Sequence, residues 1–290
     1  MTGEERARIA FGRPDIDGLI GDGFLAADLH VHTNHSDAAP SVRQILKYAR
    51  QRRIGVAITD HNEVGGVREL RDCRPDTPVI PGIELDCAEG PHILLYFYSC
   101  NDLVDFYDRH IGDRRRGAQY MTSYPTAGQI LSAAEGYACL KVAAHPFGYF
   151  GLDRGVLKCD AKHLLPGVVD RLDGIEAICG GMTGKVNGLA AEYANRFDVP
   201  VTGGSDAHIL RNVGSVVTGV RAGSVGEFLD GIKRGKSIVV GSPSGIVSRG
   251  MTAGVIAYHY IPYAGTALQI RIGPHTARLG RSMRRFFRSR

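Results

Sequence analysis

Apolar runs of five to eight residues recur along the chain, separated by Gly, Pro and Asp. They alternate with stretches whose apolar residues return every three or four positions, a pattern that predicts a parallel sheet built from strand and helix units. Strands are expected at 25–31, 54–59, 79–84, 92–98, 138–145, 174–179 and 201–205. Helices are expected at 41–51, 126–134, 186–197 and 224–234, with Ser41 and Ser224 as N-caps. Residues 99–125 read as an insertion or lid, with Asp102, Asp105, Asp108 and Arg109 on a surface helix. Roughly seven strands with intervening helices indicate a barrel or a large α/β sheet.

Beyond residue 245 the pattern changes, and 250–270 carries no formal charge. His259, Pro262, Gln269 and three tyrosines dilute that stretch, and 268–272 alternates as a half-buried strand would, so no membrane span is expected. The domain layout expected is an N-terminal extension at 1–24, a barrel at 25–245 and a C-terminal extension at 246–290.

With 290 residues, 43% of them hydrophobic and 22% charged, the chain can bury a large core and is not a disordered protein. Six scattered cysteines exclude a disulfide scaffold and a thiolate zinc cluster and suit a reducing compartment. The first residues lack the unbroken apolar stretch of a signal peptide, so a cytoplasmic location is expected. The net charge of +5 belongs to a tail, since 278–290 holds six arginines and no acid. Such a tail attracts nucleic acid or another anionic partner.

The candidate chemistry sits at strand ends. Asp28-Leu29-His30-Val31-His32 closes the first strand, and a two-residue period would turn Asp28, His30 and His32 to one side. The second strand ends in Thr59-Asp60-His61, the third in Gly82-Ile83-Glu84 and the fifth in Ala144-His145-Pro146. The fourth begins Pro91-His92, and the seventh ends Ser205-Asp206-Ala207-His208. In a barrel of parallel strands the carboxyl ends converge on one face. Six of the eleven histidines fall at these ends, and burying them with several carboxylates but no metal would leave many polar groups to satisfy. No Gly-x-Ser-x-Gly elbow is present. Gly180-Gly181-Met182-Thr183-Gly184-Lys185 fails as a nucleotide-binding loop, because Cys179 stands where the first Gly is needed and Val186 follows the Lys.

In order and type these motifs, with Thr33, Ser36-Asp37, Pro81 and Ile93-Leu94, resemble the PHP family, the polymerase and histidinol phosphatase superfamily of metal-dependent phosphoesterases. The resemblance covers roughly 25–245. It implies an α/β fold, a distorted (β/α)7 TIM-like barrel with a short C-terminal appendage, carrying two or three divalent cations. Position by position it implies a first metal on His30, His32, Glu84 and Asp206. A second would share Glu84 and take His92 and His145, and a third would take Asp37, His61 and His208, with His35 able to replace or join Asp37. Imidazole and carboxylate donors suit Zn, Mn or Fe. Asp28 and Asp60, which match no ligand position, are expected to hold ring nitrogens of neighbouring histidines. Arg154, in the loop after His145, is expected to contact a substrate phosphate.

The function implied is hydrolysis of a phosphomonoester or a short oligonucleotide end by water activated between adjacent cations. The alternatives are a metal-binding module with an interaction or regulatory role, docked by its tail, or a hydrolase of a carboxyl or phosphotriester substrate.

Overall fold

A computed structural model describes residues 7–73, 76–114, 125–148 and 155–263. In chain order the strands and helices are β1 (Ile9–Phe11), α1 (Ile16–Gly21), β2 (Leu25–Val31), α2 (Val42–Gln51), β3 (Gly55–Ile58), α3 (Gly65–Cys73), β4 (Val79–Asp86) and β5 (His92–Phe97). They continue with α4 (Cys100–His110), α5 (Ala127–Ala134), β6 (Cys139–Ala143), α6 (Val156–Asp160), β7 (Gly174–Cys179) and α7 (Gly184–Phe197). The last are β8 (Val201–Gly204), β9 (Val216–Val220), α8 (Val225–Lys233), β10 (Ile238–Gly241) and α9 (Ile246–Tyr260).

All seven expected strands are present, and with three more they form one ten-stranded sheet in the order β1-β10-β9-β2-β3-β4-β5-β6-β7-β8. The run from β2 to β8 curls until its ends meet. Ala207, just past β8, donates its N–H to the His30 carbonyl at 3.2 Å and accepts the His32 N–H at 3.1 Å. The fold is thus α/β with a curled sheet consistent with a PHP barrel.

The sheet is not uniformly parallel, contrary to the sequence expectation. β5 runs antiparallel to both β4 and β6. Between Asp86 and His92 there is room for a tight turn, with Gly90 at φ 113°, but not for a crossover helix. This reversal brings the start of β5 to the rim where β4 ends, and Asp86 pairs with His92. β9, β10 and β1 extend the sheet outward from β2, so the segment expected to be an N-terminal extension contributes a strand.

Helix starts follow the expected chemistry. Ser41 with Gln44 and Thr126 with Gln129 form reciprocal capping boxes, and Ser224 caps α8. α4, inside the segment read as a lid, buries Leu103, Val104, Phe106 and Tyr107 and is part of the core, while 115–124 lies outside the described residues. Ala27, Leu29, Ile80, Leu94, Tyr96, Leu140 and Val142 form an apolar cluster with α8, and the Tyr96 hydroxyl donates to the Leu29 carbonyl at 2.8 Å. The Arg-rich tail and the alternating 268–272 stretch lie outside the described residues. Among the described residues no helix is long and apolar enough to cross a membrane.

Candidate metal centre

A bulge in β2 sets the phase of the site. Asp28 pairs with Val56, but Val31 pairs with Ile58, so one extra residue lies between them. Asp28 is therefore out of step with His30 and His32, against the sequence expectation. It accepts the Ser205 N–H at 2.8 Å, the Ser205 hydroxyl at 2.5 Å, the Gly214 N–H at 2.7 Å and the His30 N–H at 3.3 Å. Asp60 likewise has no hydrogen bond to an imidazole among the described residues. It accepts the Thr33 N–H and hydroxyl, each at 2.7 Å, and the Ser36 hydroxyl at 2.5 Å, fixing the loop that leads to Asp37. Burial pushes the Asp28 carboxyl up to about 6 despite these donors and raises Asp60 as well.

The other nine side chains converge, and Glu84 is their hub. Its Oε2 lies 3.1 Å from His30 Nε2, 3.4 Å from His32 Nε2 and 3.3 Å from His61 Nδ1. Its Oε1 lies 3.0 Å from His92 Nδ1 and 3.1 Å from His145 Nε2. Asp206 Oδ1 is 3.3 Å from His32 Nε2 and 3.6 Å from His208 Nδ1, and Asp37 Oδ1 is 3.2 Å from His208 Nε2. Eight of the nine are buried; His61 is half-buried and marks the open side. His145 and Asp206 hold left-handed backbone conformations, φ 26° and 52°, of the kind that concentrates at functional sites.

Burial opposes charge on each group, and crowding decides the outcome. Glu84 and Glu176 hold His30 well above the ordinary histidine value, and Glu84 and Asp86 do the same for His61. Asp37 takes His208 up to about 9 against its burial. The surrounding imidazoles keep Glu84, Asp37 and Asp206 below the usual carboxylate range. His32 moves the other way: burial, then the neighbouring His208, bring it down to about 4, leaving a neutral ring.

Two carboxylates that sequence reasoning passed over belong here. Glu176 Oε1 lies 2.9 Å from His30 Nδ1, and its Oε2 accepts the His145 N–H at 2.8 Å. Asp86 Oδ1 lies 2.9 Å from His61 Nδ1 and 3.5 Å from His92 Nε2. For Glu176 the available signal was an acid inside an apolar strand; Asp86 stands two residues past the end of the expected strand and shares the two-residue period of Glu84. His35 turns away and meets Glu69 at 3.2 Å. Arg154 lies outside the described residues. Burial pushes the Cys179 thiol well up, which suits an inert cysteine.

The donor set fits cations. His32 Nδ1 is buried without a partner among the described residues, and His32 Nε2, Asp37 Oδ1 and His208 Nε2 face opposite groups at 3.2–3.3 Å without hydrogen-bond geometry. Donor atoms of His32, Asp37, His61 and His208 lie within 4.8 Å of one another, as do those of His30, His32 and Glu84 and those of Glu84, His92 and His145. Imidazole with carboxylate is a donor mixture for a transition metal.

Residues 184–237 match the PHP-associated family model. No curated protein matches the chain. Among solved structures, PsfC from Pseudomonas syringae is 18% identical, with TM-score 0.53 over 82% of this chain and 98% of its own. A two-domain protein from Bacteroides vulgatus containing a predicted PHP-like metal-dependent phosphoesterase is 15% identical, with TM-score 0.55 over 82% of this chain and 70% of its own. The lesion-specific endonuclease PfuEndoQ from Pyrococcus furiosus is 18% identical, with TM-score 0.57 over 74% of this chain and 57% of its own. At such identities the likeness is one of fold. The PHP resemblance carried by the strand-end motifs is thus met again, by the family model over 184–237 and by a PHP-like fold.

Proposed function

We propose that the chain is a metal-dependent phosphoesterase that hydrolyses a phosphomonoester or the end of a short oligonucleotide, using two or three divalent cations, Zn, Mn or Fe. The observation that carries this reading is the position of Glu84, whose two oxygens divide between separate groups of imidazoles. His30, His32, Glu84 and Asp206 would hold one cation, Glu84, His92 and His145 a second, and Asp37, His61 and His208 a third. Bound there, the cations supply an acidified water and neutralise charge on the phosphate during in-line displacement.

The chain's own residues prepare the site. Glu176, accepting from His30 Nδ1, orients the ring so that Nε2, beside Glu84, would be the atom offered to a cation once its proton is displaced. Asp60 locks the loop before Asp37, and Asp28 fastens Ser205 beside Asp206. Arg154, in the loop after His145, would supply a fixed positive charge to the substrate phosphate. The solved structures of similar fold described as containing a predicted phosphoesterase and as an endonuclease support the class and put nucleic acid among the substrates worth assaying.

The test is hydrolysis of p-nitrophenyl phosphate, its diester, nucleoside monophosphates and short DNA and RNA after reconstitution with Mn, Zn or Fe. Metal-dependent turnover of a phosphoester is expected. Stoichiometric metal with turnover of none of them would overturn the reading in favour of a binding module or another hydrolase.

A further inference from the structure

A second concavity, of about 870 Å³, lies between the loop after β1, the end of α2, the loop joining β8 to β9 and the loop leading from β10 into α9. None of the nine side chains of the metal centre lines it. Its volume is that of a small-molecule site.

Its charge is one-sided. Arg13, Arg52, Arg53 and Arg211 line it, against Asp15 and Asp17. Both acids are already engaged: Asp17 pairs with Arg53 at 2.8 Å, and Asp15 accepts the Gly18 N–H at 3.1 Å as the cap of α1. Arg13, Arg52 and Arg211 have no carboxylate partner among the described residues; Arg52 and Arg211 instead meet Tyr48 and Met251. Arg52 is held in place, 4.7 Å over the Tyr48 ring and donating to its hydroxyl at 2.7 Å.

Neutral donors complete the wall. α9 starts at the groove with Gly245 as its N-cap, so its first amides receive no side-chain acceptor, and its first turn holds no acid. Four guanidinium groups against two acids, with an uncapped helix N-terminus beside the same cavity, make a surface that asks for an anion.

We propose that this groove binds a small ligand carrying at least two phosphate groups, of the nucleoside diphosphate kind. With Arg53 paired to Asp17 and Asp15 set against the other three guanidiniums, the lining keeps a net charge of +2, which calls for more than one negative charge, and Ile16 on the wall can pack against an apolar portion.

The experiment is calorimetric titration of the metal-loaded full chain with α,β-methylene-ADP, which resists hydrolysis, with inorganic phosphate and short single-stranded DNA as comparison probes. The double variant Arg52→Glu, Arg211→Glu should weaken nucleotide binding by about tenfold or more, in line with the loss of two charge-assisted contacts. The neutral pair Arg52→Gln, Arg211→Gln should shift it in the same direction by less, and p-nitrophenyl phosphate hydrolysis should stay at the wild-type rate in both. Nucleotide binding that survives charge reversal would place the ligand at the metal centre and overturn the proposal. Absence of nucleotide binding would overturn it too, as would charge-reversal-sensitive binding of DNA alone. Hydrolysis and binding are read separately, so the phosphoesterase reading and this one fail independently.

Discussion

Glu176 on β7 reaches across the barrel to His30 on β2, with Oε1 2.9 Å from Nδ1, while its other oxygen accepts the His145 N–H at 2.8 Å. One carboxylate thereby orients two candidate ligands from different strands. Both β2 and β7 carry a register shift beside this contact, which turns the two side chains toward each other.

Glu176→Gln keeps the shape but weakens the hold on Nδ1. Metal affinity, read by competition with a chelator, should fall about 10- to 100-fold, the usual cost of losing such a partner. An unchanged affinity would mean that His30 is oriented by something else.

Asp28 acts on the fold. Removing it in Asp28→Ala strands buried N–H groups of Ser205 and Gly214. Urea unfolding should show a loss of about 2–4 kcal/mol, set by the desolvation of donors left without acceptors. A loss below about 0.5 kcal/mol would be that of an ordinary surface site and would contradict the role.

His35 and His208 both stood near the third candidate site in the sequence, and the structure separates them. His35 pairs with Glu69, whereas His208 faces Asp37 and Asp206. Elemental analysis should find the metal content of His35→Ala equal to wild type and that of His208→Ala reduced. Equal losses would return His35 to the site.

Gly181 leaves no room for a side chain, because a Cβ there would collide with the Asp206 carboxylate. Gly181→Ala should therefore lower metal content while the melting temperature changes little. Full metal content in this variant would show that Asp206 can move without consequence.

Much of this was legible because strand-end motifs depend on short spacing. The rows of apolar residues announced the seven strands from β2 to β8, and ligand-type residues at their ends announced the convergence. The antiparallel β5 went unread although the short link from Asp86 to His92 excludes a crossover. The partners of Asp28 were not legible, because a single bulge in β2 reverses the two-residue period and no local pattern marks it, and those of Asp60 are Thr33 and Ser36, in a loop 24 or more positions away. β9 and β10 are short β-branched runs of the kind that periodicity alone does not separate from loops.

Glu84, with its two oxygens on separate groups of imidazoles, would join the two proposed cation positions. The most direct test is the metal-to-protein ratio of the reconstituted chain and of Glu84→Ala, by elemental analysis. Two or three cations per wild-type chain are expected, with at least one lost in the variant. A wild-type chain that takes up no stoichiometric metal, or a variant that keeps the full complement, would mean that Glu84 joins no pair of cations.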